Sequence, residues 1–485
     1  MRKEDIESLI LAEFSHVPTS RQRETVSLWA DFLFSPDREE AFLLRGYAGT
    51  GKTSLVSALV RVLTRLNLRT LLLAPTGRAA KVFSLYAGLP AYTIHRKIYR
   101  QKVFNPEMNN FVQTPNLMRD TLFIVDEASM IANSGNSGGY FGSGRLLDDL
   151  VRHVYAGENC RLLLIGDRAQ LPPVGEEQSP ALSVSWLRGY GLHVRQMELT
   201  QVVRQADESG ILWNATRLRN LIDGQAFSAF PKMRVTGFPD ITILPGNELI
   251  ESLEQSYHRC GTDQTIVVTR SNKRANIYNN GIRARILDMD AELGSGDQII
   301  VAKNNYFWTE KLAEENKDAA SQMPFIANGD VAVVRRVHNE RGFYGFRFVD
   351  ATLRFPDYNH QEMELTLLLD TLQAEAPALT REQQERLFHA VCEDYPEISV
   401  RRELMNRVKQ DIYYNALQVK YAYAITCHKA QGGQWQHVYI DQGYLTEDML
   451  SPDYFRWLYT ALTRATEHVY LVNWPENQTE RPAEE

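Results

Sequence analysis

Residues 46–53 read GYAGTGKT and fit the pattern G-x-x-x-x-G-K-T/S in full. Glycines at this spacing let successive backbone N–H groups turn inward around phosphate oxygens, and the lysine and hydroxyl that follow complete the cradle. The candidate phosphate-binding residues are therefore Gly49, Thr50, Gly51, Lys52, Thr53 and Ser54. Lys52 would reach the β and γ phosphates, and the Thr53 hydroxyl would ligate Mg²⁺. Asp126-Glu127 closes an apolar run. An aspartate there can hold Mg²⁺ through water, and the adjacent glutamate can orient or deprotonate an attacking water. Gln170, in GDRAQLPP, could sense the γ-phosphate or position water. Phosphoryl transfer also needs positive charge on the developing transition state. Arg204 in LTQVVRQ and Arg464 in YTALTRA are the candidates.

These side chains need elements to hold them. Apolar runs at 41–44, 69–74, 121–125 and 161–165 each end in a glycine, proline or acidic turn. Helical spacing follows the first two, over 55–66 and 77–86. Short, fully apolar runs alternating with helices predict an α/β fold with a parallel sheet covered on both faces. Ligands of such sheets sit at the carboxyl ends of the strands, where the glycine loop, Asp126-Glu127 and Gly166-Asp167 fall. The first forty residues read as helical. Residues 96–120 are polar and basic with a turn at Asn105-Pro106, and predict a small hairpin inserted in the first domain. Residues 133–144 form a Gly/Ser loop.

A second alternating region begins near Gln264. The segments GDQIIVAKNNY and NGDVAVVRRV are β-rich, and 335–412 mixes alternating strands with a charged helical portion. We read 335–412 as an inserted β-barrel-like subdomain. From Lys420 the sheet pattern returns, with a helix over 452–465 and a last strand in HVYLVNW.

Length and composition bound the rest. A chain of 485 residues suggests about three domains. With 44% hydrophobic and 23% charged residues it is an ordinary globular chain. Net charge is −7, which argues against coating nucleic acid by bulk positive charge but leaves room for a basic channel. Cys160, Cys260, Cys392 and Cys427 lie far apart with no zinc-ligand spacing, which predicts a reducing, cytoplasmic setting. No apolar run is long enough to span a bilayer, and the start MRKEDIESLI has no secretory h-region.

Taken in order, these pieces resemble superfamily 1 helicases, and most closely the RecD-like and phage Dda-like 5′→3′ DNA helicases of subclass B. The likeness runs from about residue 17 to residue 473. PTSRQ resembles the Q motif, GYAGTGKT motif I, APTGRAA with TIHR motif Ia, IVDEASM motif II and GDRAQLPPVG motif III. ELTQVVRQ resembles the segment that carries the first arginine finger, TCHKAQGGQW motif V and YTALTRA motif VI.

The resemblance implies two RecA-like parallel-sheet domains with a hairpin or wedge insertion and an SH3-like barrel. Residues 1–40 would be a helical segment with the Q motif. Residues 41–195 would form the first domain, with the wedge at 96–120. Residues 196–334 and 413–475 would form the second, 335–412 the barrel, and 476–485 a polar tail. Gln22 would bind adenine and Gly432 would touch the nucleotide. Lys52, Glu127, Gln170, Arg204 and Arg464 would act on the γ-phosphate, with Mg²⁺ on Thr53 and Asp126. Contacts to DNA would fall on Pro75, Thr76, His95, Asn305, Thr426 and His428, with Tyr99 and Tyr306 as further stacking groups. Phe104 or Phe111 would either tip the wedge or, the stronger reading, pack in the core.

The implied partners are ATP, Mg²⁺, single-stranded DNA and its junctions with duplex, and no membrane. The chain departs from the pattern in two places. Gly433-Gln434 stands where Ser-Glu is usual, and Tyr47 is bulkier than the small residue usual there. Two other readings fit the same residues: an ATP-gated nucleic-acid-binding module that does not unwind, and an RNA helicase, since stacking and phosphate contacts do not distinguish the sugars.

Overall fold

In a computed structural model the chain is described over residues 2–14, 17–101, 111–134, 143–201, 208–315, 323 and 325–480. Arg204, Phe104, the side chain of Phe111 and most of the Gly/Ser loop lie outside the described residues.

The helical start is α1 (Lys3–Ala12) and α2 (Ser20–Phe34). A reciprocal capping box opens α2: Gln22 N donates to Thr19 Oγ1 at 3.2 Å, and Thr19 N donates to Gln22 Oε1 at 2.9 Å. Strand β1 (Glu40–Gly46) feeds the glycine loop and α3 (Lys52–Arg65). Strand β2 (Arg69–Ala74) feeds α4 (Gly77–Ala87), whose cap Thr76 accepts from Ala79 N at 3.2 Å. Next come β3 (Ala91–Thr93) and α5 (Ile94–Ile98). The predicted insertion is a hairpin in which β4 (Tyr99–Gln101) pairs antiparallel with β5 (Phe111–Gln113). Then β6 (Thr121–Val125), α6 (Leu146–Tyr155), β7 (Arg161–Gly166), α7 (Val184–Gly189) and β8 (His193–Leu199) complete the first domain.

Its sheet runs β3-β2-β6-β7-β1-β8 with every pair parallel. Successive strand residues take opposite faces. Phe42, Leu44, Leu72, Ile124, Leu163 and Ile165 pack under α1 to α4, whereas Leu43, Leu73, Phe123, Leu162 and Leu164 pack under α5 to α7. That double burial is why these strands read as unbroken apolar runs.

The second domain opens with α8 (Gly210–Asp223), β9 (Ile241–Leu244), α9 (Leu249–Cys260), β10 (Thr265–Thr269) and α10 (Asn272–Arg285). The barrel follows: β11 (Gln298–Val301), α11 (Phe307–Glu315), β12 (Val331–Phe343), β13 (Phe346–Phe355), β14 (Gln361–Leu368), α12 (Arg381–Cys392), α13 (Arg401–Lys409) and β15 (Leu417–Tyr421). The chain returns with β16 (Ala424–Thr426), α14 (Cys427–Ala430), β17 (Trp435–Asp441), α15 (Pro452–Leu462) and β18 (Ala465–Val472). The second sheet runs β16-β10-β17-β18-β9, again parallel.

Three expected boundaries move. The barrel closes in the order β11-β12-β13-β14-β15 and so spans 298–421 rather than 335–412. Its seam is the pairing of Ile299 with Tyr421, which recruits the two segments read as flanks. Helices α12 and α13 cover one side of the barrel, burying Leu387, Val391 and Val408 against Phe346, Phe348 and Leu368. The first domain extends to Leu199, because β8 pairs with β1 from His193 to Leu199. The helix expected over 452–465 stops at Leu462, and Ala465 already belongs to β18.

The barrel also touches the first domain. Lys81 on α4 pairs with Asp357 after β13, and Tyr358 donates to Asp330 Oδ2 at 2.9 Å. A Cβ at Gly77 would collide with Asp330, so glycine is what permits this approach.

Candidate nucleotide site and strand groove

The carboxyl end of the first sheet and the amino ends of β17 and β18 in the second face one cleft of about 390 Å³. Gly49 and Gly51 adopt φ of +75° and +81°, the left-handed region open to glycine, and this turns the loop into the start of α3. Lys52 Nζ donates to Gly46 O at 2.5 Å and to Tyr47 O at 2.9 Å, so the ammonium rests on the loop's own carbonyls. Gly49, Gly51, Lys52, Thr53 and Ser54 line the cleft; Thr50 is buried beneath it.

Asp126 and Glu127 follow β6. Tyr86 of α4 donates to Asp126 Oδ2, and Glu127 N donates to Asp126 Oδ1 at 2.8 Å. Glu127 has φ of +51°. That left-handed turn costs a non-glycine residue about 1–2 kcal/mol. Burial pushes both carboxyls above the ordinary carboxylate range; Tyr86, the Glu127 amide and Lys52 oppose the rise at Asp126. At Glu127 the chief opposing charge is Arg464, whose guanidinium NH1 lies 4.0 Å from Oε1. Gln170, 7% exposed, lines the cleft with a buried Oε1 that has no hydrogen-bond partner among the described residues.

The second domain supplies the facing wall. Arg464, 4% exposed, donates to Thr460 O at 3.0 Å, Gly433 O at 3.3 Å and Thr463 Oγ1 at 3.2 Å. Tyr459 of α15 accepts from Ala48 N at 2.9 Å and donates to Asp167 Oδ2 at 2.5 Å. Leu171 N donates to Thr460 Oγ1 at 2.9 Å. Gly432 has φ of +72°, and a Cβ there would lie 2.8 Å from the Ala79 Cβ of α4.

Residues 30–238 match the family model described as an AAA domain, and residues 421–472 match the UvrD-like helicase C-terminal domain. The ATP-dependent RecD2 DNA helicase of Deinococcus radiodurans is 32% identical over 185 residues, 38% of this chain and 22% of that protein. The ATP-dependent DNA helicase dda of Enterobacteria phage T4 is 27% identical over 290 residues, 57% of this chain and 59% of that protein. Both curated relatives are similar to this chain over part of their length only. The chain spans about a fifth of the RecD2 relative's length and about three fifths of Dda's. The Bacteroides Pif1 helicase in complex with ADP-AlF3 and ssDNA aligns over 96% of this chain and 95% of that one, at 15% identity and a TM-score of 0.46.

The predicted residues divide. Lys52, Thr53, Asp126, Glu127, Gln170, Gly432 and Arg464 converge on the cleft. Gln22 does not line it. Its Oε1 caps α2 and its Nε2 donates to Thr50 O at 3.1 Å, so this side chain straps the glycine loop from below. Asn305 also differs from expectation. Its Nδ2 donates to Asn415 O at 2.8 Å and its Oδ1 accepts from Trp308 N at 3.4 Å, so the amide fastens α11 to the chain before β15.

The other strand candidates lie where the two sheets end. Pro75 and Thr76 precede α4 and His95 lies on α5, all partly buried. Thr426 caps α14 and His428 is exposed on it. Desolvation pushes the His95 imidazole down to about 4, so it is neutral at physiological pH. Tyr306 packs against the first domain's core beside Tyr99.

Sequence reasoning missed Tyr86, Asp167 and Tyr459 as members of the site. Asp167 carried a signal, as an acid just past the neighbouring strand's carboxyl end. The tyrosines carried none, because their partners are distant in sequence.

Gly432→Ala tests the close approach of the two domains. A left-handed alanine against Ala79 is expected to raise the KM for ATP roughly tenfold, read from hydrolysis rate against ATP concentration. An unchanged KM would mean that the approach is not needed to hold nucleotide.

Proposed function

We propose that this chain is an ATP-driven DNA helicase that moves 5′→3′ on single-stranded DNA and unwinds duplex. The observation that carries the reading is the split cleft: the phosphate loop, Asp126 and Glu127 come from one sheet and Arg464 from the other. Loss of the γ-phosphate removes what both walls hold, so hydrolysis becomes relative movement of two domains. Two relatives are named as ATP-dependent DNA helicases.

In this reading Lys52 leaves the carbonyls of residues 46 and 47 for the β and γ phosphates. Glu127 takes the proton of the attacking water, Gln170 orients that water, and Arg464 meets the charge developing on the γ-phosphoryl oxygens. Arg204 would add a second cation. No group of three or more His, Cys, Asp or Glu suited to a metal occurs among the described residues. One aspartate beside a hydroxyl and substrate phosphates suits Mg²⁺, which keeps several waters. Asp126 and Thr53 would hold it; when bound it neutralises phosphate charge.

Single-stranded DNA would cross Thr76 and His95 on the first domain and Thr426 and His428 on the second, under the barrel that reaches α4. Phosphate contacts and base stacking tolerate any sequence. The four cysteines are free thiols, in keeping with a reducing cytoplasm. Among the described residues, no helix is long and apolar enough to cross a membrane.

The test is strand displacement on duplexes carrying a 5′ or a 3′ tail, with and without ATP. Unwinding of the 5′-tailed duplex alone, dependent on ATP, is expected. A preference for 3′ tails would overturn the polarity. Hydrolysis without displacement would favour a nucleotide-gated binding module, and stronger stimulation by RNA than by DNA of equal length would change the substrate.

A further inference from the structure

Tyr47 stands in the glycine loop where a small side chain is usual, and it is only 3% exposed. Its phenol reaches out of the first domain. The hydroxyl lies 2.8 and 3.1 Å from the two carboxylate oxygens of Asp223, the last residue of α8, and 3.3 Å from Glu198 Oε1 in β8. Arg168, just past β7, donates to the same hydroxyl at 3.3 Å and pairs with both Glu198 and Asp223. The Arg219 guanidinium, one turn earlier in α8, lies 4.6 Å over the ring. Hence the phenol donates to Asp223, accepts from Arg168 and is stacked by Arg219.

The other end of the same residue touches the catalytic lysine. Tyr47 O accepts from Lys52 Nζ at 2.9 Å and from Thr50 Oγ1 at 2.7 Å. The next peptide is tied as well, since Ala48 N donates to Tyr459 of α15. Helices α8 and α15 pack together in one core that includes Tyr47, Ile211, Ala215, Leu218, Tyr459 and Leu462. Helix α15 ends at Leu462, and Arg464 follows two residues later.

We propose that Tyr47 is a positioning residue that ties the state of the phosphate loop to the α8–α15 pair and thereby sets the placement of Arg464. This rests on the reading of Lys52 and Arg464 as the phosphate and transition-state cations. Phosphate competes with the Tyr47 carbonyl for the Lys52 ammonium. When the ammonium leaves, the peptides at 46–48 are free to turn. With a small side chain the loop would absorb that turn. With a phenol clamped by Asp223 and Arg168, the turn is delivered to α8 and through it to α15. The phenol clamp sits at the far end of the residue from the Lys52 ammonium, so its loss falls on kcat more than on the KM for ATP.

Tyr47→Phe keeps the ring, its packing and the Arg219 stack while deleting the hydroxyl. A fall in kcat of about tenfold is expected, the worth of one hydrogen bond to a charged group, with the KM for ATP within about twofold. Asp223→Asn, which keeps an acceptor for the phenol, is expected to retain most of the wild-type kcat, whereas Asp223→Ala should match Tyr47→Phe. In an Arg464→Ala background Tyr47→Phe should change kcat no further, because the link has lost its destination.

A kcat at wild-type level, a KM that rises while kcat holds, or a full additive loss on top of Arg464→Ala would overturn the proposal. So would a lowered melting temperature with unaltered kcat. Turnover is read with and without single-stranded DNA. A wild type indifferent to the strand would sink the helicase reading and leave the tyrosine test standing.

Discussion

Lys52→Ala is expected to lower ATP hydrolysis by about 10³-fold or more, the scale set by losing a preorganised charge at the reacting phosphates. Three carboxylates, Asp126, Glu127 and Asp167, line the cleft with Lys52. The ammonium pulls all three toward the ionised form against a burial that pushes them up. Its loss therefore acts twice: the β and γ phosphates lose their cation, and the base Glu127 becomes harder to ionise. The fold should survive, because the lysine bonds to two carbonyls of its own loop. The checks are steady-state hydrolysis at saturating ATP and strand, and thermal melting of the same sample. Wild-type turnover in a folded variant would remove the phosphate loop from the chemistry.

The parts legible in the sequence are those whose signal is local. Strands β1, β2, β6 and β7 are buried on both faces, so each is a compact apolar word ended by a glycine, proline or acidic turn. The glycine loop is legible for the same reason, since φ near +75° to +80° demands glycine at 49 and 51.

The barrel is not local. Its closure depends on β11 pairing with β15 across the whole insertion, and half-buried antiparallel strands present a weaker pattern than buried parallel ones. A stretch such as 298–301 can end one domain or begin the next, and only the partner strand decides. Gln22 shows another limit. The motif predicted that Gln22 would bind adenine, and gave no sign that its amide is committed to Thr19 and Thr50. Tyr47 shows the converse, because an unusual residue in a familiar loop was visible as a departure. Its meaning depended on Asp223 and Arg168, which no spacing rule connects to it.

Arg464→Ala is expected to bind ATP nearly as well as the wild type yet hydrolyse it about 10³- to 10⁵-fold more slowly, the range found when an arginine finger is removed. The guanidinium is buried, and its hydrogen bonds go to two carbonyls and one hydroxyl. Within the described residues its one carboxylate neighbour is Glu127, at the outer limit of an ion pair. A buried cation held so loosely is poorly compensated until an anion arrives, and the charge that grows on the γ-phosphoryl group in the transition state is that anion. The ground-state phosphates are already met by the loop and Lys52, so affinity should change little while turnover collapses.

A second readout separates this role from a structural one. Glu127 must be ionised to accept a proton, so the rate rises with pH through its pKa, and that pKa already lies above the ordinary carboxylate value because of burial. Arg464 is the largest force holding it down. Removing the guanidinium lets the pKa climb further, and the acid limb of kcat against pH must move to higher pH. Arg464→Lys returns the charge without the planar fork. It should restore much of the limb's position and little of the rate. A variant that lost ATP binding and turnover together, with its acid limb unmoved, would show that Arg464 braces the second domain and never meets the phosphoryl group.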